Sequence, residues 1–246
     1  MTEVSLGKQE RLDDLMNGRH IIQNRQEFCF SMDAVLLAHF PQPRRGQRVL
    51  DLGTGAGVVP LLIADEWTHV DGIEINPVLA DLARRNAALN RLESRIRILE
   101  GDYRELDAHV SRGAFDLVTA NPPYRPVGSG KPSPASGRAQ ARHEITATLE
   151  DTVMAAAYAL HRHGRFAMVH LPERLGEVMV VLHRHGLEAK RLRMVHPRRE
   201  APASLMLVEA LSGGAAGGLK VLPPLEVRKA DGNYTEEILE IYGMQP

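Results

Sequence analysis

The chain has 246 residues, 43% of them hydrophobic, which is enough to bury one large core within a single domain. Its formal net charge of −1 excludes a protein that is basic overall, and its one cysteine, Cys29, excludes a disulfide framework. Because no apolar run approaches about 18 residues and no signal peptide is recognisable, we expect a cytoplasmic protein that does not enter a membrane.

The N-terminal residues predict a hairpin followed by a helix. Residues 11–23 have a hairpin-like pattern, and the helix after them begins around Ser31 or Asp33. Serine and aspartate are common N-cap residues, because their side-chain oxygens accept hydrogen bonds from the unpaired N–H groups of the first turn.

A strand, a glycine turn and a helix follow one another at residues 48–64. The strand over residues 48–52 includes Asp51, and the turn reads Gly53-Thr54-Gly55-Ala56-Gly57. Glycines let the backbone approach a ligand closely and place N–H groups at its edge. The pattern therefore predicts a nucleotide-like ligand.

The second strand, over residues 70–75, carries Glu74 near its end. An acidic side chain about 20 residues past such a turn contacts ribose hydroxyls in dinucleotide-binding folds. A GxGxxG fingerprint would need glycine at position 58, where this chain has Val58. The pattern therefore argues against a pyrophosphate ligand and fits a cofactor with one adenosine and no phosphate.

A third strand, over residues 96–99, follows a helix over residues 76–90 and ends in Gly101-Asp102-Tyr103. Asp102 fits the N-cap of the next helix, and Glu105 lies three residues further on, as a capping box requires.

The fourth strand ends in an unusual sequence. Residues 115–120 run into Asn121-Pro122-Pro123-Tyr124. Prolines cannot donate backbone hydrogen bonds and bias the preceding residue toward extended geometry, so the segment must leave the sheet stiffly. Such a turn holds the Asn121 amide and the Pro122 carbonyl outward as acceptors beside the flat Tyr124 ring. This arrangement suits a planar NH2 group, although a Pro-rich turn without a function is the alternative.

Two basic segments follow, and neither contains an acidic residue. The first, residues 125–142, is a long loop rich in Gly, Pro and Ser, and the second spans residues 190–199. Because the whole chain is nearly neutral, these segments predict positive charge on one face for contact with a phosphate backbone; solvated surface charge is the alternative. The residues assigned to nucleic-acid contact are Arg125, Lys131, Arg138, Arg142, Arg191, Arg193, Arg198 and Arg199.

The residues from 149 to 210 predict the remaining helices and strands of the sheet. They predict helices over residues 149–162 and 173–184, and strands over 165–170, 187–195 and 204–210, which gives seven strands from residue 48 onward. A short turn joins the last two strands, so we expect them to be antiparallel.

The sequence Leu-His-Arg-His-Gly occurs at residues 160–164 and again at 182–186. Histidines two residues apart diverge on a helix, and no further ligand follows at metal-binding spacing. We therefore interpret both copies as helix ends, with Gly164 and Gly186 as left-handed cap residues, and expect no metal site.

Together these motifs resemble those of the Rossmann-like S-adenosyl-L-methionine (SAM) methyltransferases. Residues 51–57 are similar to their first motif, Glu74 to their ribose-binding acid, and residues 121–124 to the (N/D)PP(Y/F) signature of those that methylate planar NH2 groups. With Ala141-Arg-His-Glu-Ile145 and Tyr234-Thr-Glu-Glu-Ile238, the chain resembles the bacterial tRNA1(Val) (adenine-37-N6)-methyltransferase family of small-domain enzymes.

This resemblance implies the fold and the cofactor. The fold is expected to be α/β, a Rossmann-like sheet of seven strands, mostly parallel with one antiparallel strand and with helices on both faces. We expect an N-terminal extension over residues 1–30, a methyltransferase domain over 31–211, and a C-terminal extension of a hairpin and a short helix over 212–246. Asp102 gains a second role, accepting a hydrogen bond from the adenine of SAM. The implied SAM contacts are Ser31, Asp33, Asp51, Gly53, Gly55, Gly57, Glu74, Asp102, Tyr103 and Asn121.

The implied reaction is direct in-line transfer of a methyl group from SAM to the N6 atom of an adenine in RNA, in the anticodon loop of a tRNA. Asn121, Pro122 and Tyr124 are the expected catalytic residues. We expect an RNA partner, no metal, and a monomer or weak homodimer. Three alternatives stay open: methylation of a glutamine amide in a protein such as a release factor, methylation of a DNA adenine, and a SAM- or nucleic-acid-binding module without catalysis.

Overall fold

The computed structural model describes residues 6–27, 29–122 and 147–244. Near the N-terminus, β1 (Glu10–Asp14) and β2 (His20–Asn24) form an antiparallel pair, which confirms the predicted hairpin. The strands of the main sheet are β3 (Arg48–Leu52), β4 (His69–Glu74), β5 (Ile96–Glu100), β6 (Phe115–Ala120), β7 (Leu160–His170), β8 (Leu187–Arg198), β9 (Leu205–Ser212), β10 (Lys220–Val221) and β11 (Leu225–Arg228). The helices are α1 (Met32–His39), α2 (Val58–Ile63), α3 (Pro77–Leu89), α4 (Leu149–Ala159), α5 (Leu175–Arg184) and α6 (Glu236–Ile241), with short 3-10 turns at Tyr103–Ala108 and Pro172–Arg174.

The main sheet has the spatial order β10-β8-β9-β7-β6-β3-β4-β5, and β11 also pairs with β8. Strand β9 runs antiparallel to both of its neighbours, and all other pairs in this sheet are parallel. The predicted Rossmann-like sheet with one antiparallel strand is therefore confirmed, and all seven predicted strands are present. Strands β10 and β11 extend the sheet beyond β8; each pairs with β8 in parallel and not with the other, so these two strands do not form the hairpin expected in the C-terminal extension.

Helices cover both faces of the sheet because its strands carry apolar side chains on both sides. Val49, Leu117 and Ala167 belong to the core with α1, α2, α3 and α6. Their chain neighbours Leu50, Val118 and Phe166 belong to the opposite core with α4 and α5. Alternation along each strand thus divides the apolar residues between two layers, as expected for parallel strands buried on both faces.

The chain leaves β3 in opposite directions across the sheet. Strand β4 lies on one side of β3 and β6 on the other, so the connections at their carboxyl ends diverge. In open α/β sheets, ligands bind in the crevice that forms at such a reversal.

One predicted boundary is wrong. Helix α4 ends at Ala159 rather than near residue 162, and β7 begins at once with Leu160. The left-handed backbone conformation falls on His163, with φ of 68°, and Gly164 does not adopt it. The corresponding prediction for Gly186 is confirmed, since it follows α5 with φ of 71°.

The N-terminal hairpin is joined to α3 by asparagine side chains. The Asn86 amide accepts a hydrogen bond from the Ile22 N–H (2.6 Å) and donates to the Ile22 carbonyl (3.0 Å). One turn later, Asn90 makes the same two kinds of bond with His20. Asn86 also donates to the Ala56 carbonyl in the glycine turn (2.9 Å).

Among the described residues, no helix is long and apolar enough to cross a bilayer.

Candidate active site

The glycine turn lies at the carboxyl end of β3 and requires its glycines. Gly53, Gly55 and Gly57 have φ of 67°, 57° and 87°, a region that side chains rarely adopt. A Cβ atom at Gly57 would also come within 3.2 Å of the Ala83 Cβ atom on α3. At Gly55, by contrast, an added Cβ would meet nothing within 4 Å, so the turn presents bare backbone to open space.

Glu74 is oriented by backbone groups at the end of β4. One carboxylate oxygen accepts the Gly55 N–H (2.8 Å), and the other accepts the Asn76 N–H (2.9 Å). The side chain is therefore fixed against the glycine turn. A carboxylate at this strand end is a chemically suitable acceptor for a ribose hydroxyl.

Asp51 lies behind the turn and is 2% exposed. Its carboxylate accepts a hydrogen bond from the Thr119 hydroxyl on β6 (2.6 Å). The pKa of Asp51 is raised to about 7, chiefly by burial and also by the nearby Glu74 charge, and the hydrogen bond from Thr119 opposes this rise. This arrangement joins the ends of β3 and β6, between which the crevice forms.

Asp102 caps the 3-10 turn that follows β5, as its sequence position predicts. It accepts the Arg104 N–H (2.9 Å) and pairs with the Arg104 guanidinium, which lowers the pKa of Asp102. Glu105 has non-helical backbone angles in this turn. The Tyr103 ring lies beside Gly53, 3.7 Å from where a Cβ atom would stand, and its hydroxyl meets the Thr152 hydroxyl at 3.1 Å.

Ser31 is the N-cap residue of α1, but its side chain makes no capping hydrogen bond. Its Oγ atom is buried and has no hydrogen-bond partner among the described residues. A buried hydroxyl without a partner is unfavourable, so this atom is suited to a bound ligand. Asp33 lies in the first turn of the same helix.

Asn121 and Pro122 directly follow β6, beside the glycine turn. The register of β3 and β6 pairs Leu52 with Ala120, so the residues that follow both strands lie at the same edge of the sheet. Tyr124 lies outside the described residues, as do Arg125, Lys131, Arg138 and Arg142. Their assignments stay predictions.

In the second basic segment, two of the four arginines assigned to RNA contact form ion pairs within the protein. Arg191 pairs with Glu209 (3.3 Å), and Arg193 forms two hydrogen bonds with Glu237 (2.6 and 2.8 Å). Arg198 and Arg199 are exposed, and the nearest carboxylate to Arg199, on Glu226, is 4.0 Å away. The structure therefore gives Arg191 and Arg193 internal partners, and RNA contact by all four arginines stays a prediction.

Two residues near the crevice were not selected from the sequence. Ile75 follows Glu74 and is 42% exposed, which places an apolar surface beside the Glu74 carboxylate. His170 ends β7 at the level of Pro122 and is buried. Its pKa is lowered to about 4, chiefly by burial and also by the nearby Arg174 charge. The sequence feature that could have selected His170 is its position at the end of the strand predicted over residues 165–170. In the part of the chain that the structure describes, no cluster of residues could hold a metal ion.

This fold and this strand-end site define a Rossmann-like methyltransferase. The family model for the methyltransferase small domain matches residues 31–184, and the chain belongs to that family. A crystal structure of a predicted O-methyltransferase from Agrobacterium tumefaciens is similar, with a TM-score of 0.70 and 25% identity, covering 86% of this chain and 96% of the other.

Curated relatives narrow the family. The chain is 32% identical to a tRNA1(Val) (adenine(37)-N6)-methyltransferase of Porphyromonas gingivalis, over 79% of this chain and 78% of the relative. It is 30% identical to a protein of the same name from Tolumonas auensis, over 90% and 91% of the two chains. The resemblance to this family is therefore confirmed, and so is the prediction of a methyltransferase.

The cofactor of the family is SAM, and the residues present fit it. Glu74 is placed for a ribose, the bare backbone at Gly55 leaves room for a ligand, and the Ser31 hydroxyl lacks a partner among the described residues. The individual contacts stay proposals.

Proposed function

We propose that this protein transfers a methyl group from SAM to the N6 atom of an adenine in RNA, at position 37 of a tRNA. Support comes from the relatives, which are named for this reaction and match most of the chain. The observation that carries the proposal is the position of Asn121 and Pro122. They follow β6 directly, next to the glycine turn and Glu74, so acceptor groups for an amine lie beside the cofactor residues.

SAM, when bound, supplies a methyl group activated by a sulfonium. The Asn121 Oδ1 atom and the Pro122 carbonyl would accept the two hydrogens of the adenine amine. The amine lone pair is delocalised into the ring, and these hydrogen bonds favour the pyramidal, nucleophilic form. Because they strengthen as positive charge develops on the nitrogen, they stabilise the transition state.

The remaining rate enhancement comes from positioning, since a bound near-attack geometry removes several kcal/mol from the barrier. A strong general base is not required, because the amine proton becomes acidic once the methyl group is attached. An adenine in an RNA loop is already largely unstacked, so it is presented at lower cost than a base in a duplex.

We further propose a cytoplasmic location, where such tRNA is found, and a monomer or weak homodimer.

The test is to identify the product. The protein would be incubated with labelled SAM and, separately, with total tRNA, total DNA and purified release factor, followed by digestion and mass spectrometry. We expect N6-methyladenosine in tRNA alone. Label in release-factor glutamine or in DNA would overturn the RNA proposal while keeping the methyltransferase, and no label in any substrate would favour a module without catalysis.

A further inference from the structure

A groove of about 610 Å³ lies between α1, the end of β8 and β11. Its apolar lining includes the partly exposed Met32 and Leu205 and the buried Val195 and Val227, which come from α1, β9, β8 and β11. The apolar surface is therefore a feature of the folded chain and is not apparent in any one segment.

Two arginines line the same groove. Arg198 ends β8, and Arg228 ends β11. The Arg228 guanidinium lies over the Tyr234 ring, 4.3 Å from its centroid, and donates to the Gly232 carbonyl (2.7 Å). Asp33 also lines the groove, so two cationic side chains and one carboxylate surround it. Both arginines are exposed, which leaves their charge available to an anion.

The groove lies at the same edge of the sheet as Asn121. Ala120 at the end of β6 is level with Met168 on β7, Val208 on β9 and Leu192 on β8. The first groove residue of β8, Val195, lies three residues beyond Leu192 toward the same edge. Three strand spacings of about 4.8 Å across the sheet and three residues of about 3.3 Å each along β8 place the groove roughly 17 Å from the end of β6. A few nucleotides of single-stranded RNA span such a distance.

We propose that this groove binds a nucleotide of the substrate RNA that flanks the methylated adenine. A nucleotide combines a flat base, which fits the partly exposed apolar side chains of Met32 and Leu205, with a phosphate, which fits Arg198 and Arg228. The inference rests on the proposed function and extends it, because it assigns a second contact that holds the RNA while the adenine occupies the site beside Asn121.

The test compares Arg198→Ala, Arg228→Ala and the double variant with the wild-type protein. Arg228→Lys keeps the charge, and Arg44→Ala is a matched control, because Arg44 is exposed at the opposite edge of the sheet, before β3. The probe is a transcribed tRNA1(Val), and its dissociation constant is measured over a range of salt concentrations. SAM affinity is measured in parallel by calorimetry, and melting temperatures check folding.

We expect each alanine variant to weaken tRNA binding about threefold to tenfold at low salt. The slope of log Kd against log salt should fall by about 0.7 for each phosphate contact removed. SAM affinity should be unchanged, and Arg228→Lys and Arg44→Ala should bind tRNA like the wild type. A photo-crosslinking nucleotide next to the adenine should label the peptide that contains Arg198 or Arg228.

Unchanged tRNA binding in a folded double variant, or crosslinks confined to other peptides, would overturn the groove proposal. These readouts do not depend on turnover. If the wild-type protein methylates tRNA and the double variant does so with unchanged KM, the groove proposal fails and the proposed function stands. If wild type binds tRNA through the groove but methylates another substrate, the proposed function fails instead.

Discussion

Asp51 is buried away from bulk solvent, and its carboxylate accepts a hydrogen bond from Thr119 (2.6 Å). Its pKa, raised to about 7, lies above the unfolded value of 3.8. Between these values the folded state binds a proton that the unfolded state releases. This group therefore lowers the free energy of unfolding as pH rises through that window, and the loss is complete above the folded pKa.

Asp51→Asn should remove this dependence. Relative to wild type, the variant should gain stability as pH rises from about 4 to 8, by an amount on the order of a few kcal/mol. Urea unfolding at several pH values measures it, with the exposed Asp107→Asn as the control. A constant difference between Asp51→Asn and wild type across that range would contradict the raised pKa.

Asn121 should act on transfer and not on cofactor affinity. We expect Asn121→Ala to lower kcat by at least about 100-fold, the loss typical of removing one group that stabilises the transition state. SAM affinity, measured by calorimetry, should change little. Asn121→Asp retains an acceptor oxygen, as the (N/D)PP(Y/F) signature allows, and should keep more activity than the alanine variant. Parallel loss of SAM binding and transfer would argue against the assigned role.

For individual residues, the sequence predicted which polar side chains lie at the strand ends but not which side chains pair with each other. Asp51, Glu74 and Asn121 were selected because each lies at the end of a predicted strand, and the structure brings them to one edge. Arg191 and Arg193 looked unpaired because their carboxylates, on Glu209 and Glu237, are far along the chain. Pairing over such separations leaves no local pattern.

Among the structural elements, the glycine turn combines a left-handed backbone, which glycine adopts without strain, with close packing against α3. Gly57→Ala should lower the free energy of unfolding by about 1 to 3 kcal/mol, because alanine disfavours its positive φ and its Cβ would crowd Ala83. The shift in the turn should also weaken SAM binding. Thermal unfolding and calorimetry measure the two effects.

Gly176→Ala is the matched control for that prediction. Gly176 lies in α5, and an added Cβ there meets nothing within 4 Å. Because alanine is a better helix former than glycine, this variant should be neutral or more stable by up to about 1 kcal/mol. Equal destabilisation by both substitutions would show that neither the positive φ nor Ala83 matters.

The junction between α4 and β7 shows where local patterns stop being informative. Residues 160–164 look like a helix end, since they combine histidines, an arginine and a glycine. In the structure, Leu160 instead pairs with Phe115 across β6 and β7, so a tertiary contact begins the strand early. Strands 48–52 and 115–120 were predicted correctly because each is a short, mostly buried segment with clear ends.

Across the whole molecule, Asn86 connects the hairpin, α3 and the glycine turn through a fully buried amide. Asn86→Ala would leave the Ile22 N–H and carbonyl without that partner in the core. We expect a loss of about 2 to 4 kcal/mol in unfolding free energy. Denaturant unfolding provides the measurement.

Asn90→Ala is the natural comparison, because Asn90 makes equivalent bonds to His20 one turn away. That backbone is exposed, so water replaces the lost partners, and the cost should be about 0.5 to 1.5 kcal/mol. Equal losses in the two variants would contradict the role of burial.

The overall topology could be predicted because strand, turn and helix signals occur in the order of a Rossmann-like sheet. The pairing of the C-terminal strands with β8 could not, since Lys220–Val221 is two residues long and Leu225–Arg228 is four. Segments this short have no detectable period, and only pairing with β8 makes them strands. The domain limits at residues 30 and 211 stay predictions.

The pairing of β10 and β11 with β8 affects whether copies of this protein can associate through the edge of the sheet. Strand β8 is twelve residues long, and a strand of this length with a free edge is a template for association with another chain. Strands β10 and β11 cover its outer side at Arg191–Leu192 and again from Val195 to Arg198. The C-terminal segment thus replaces one long exposed edge with two short ones, which protects the sheet against aggregation.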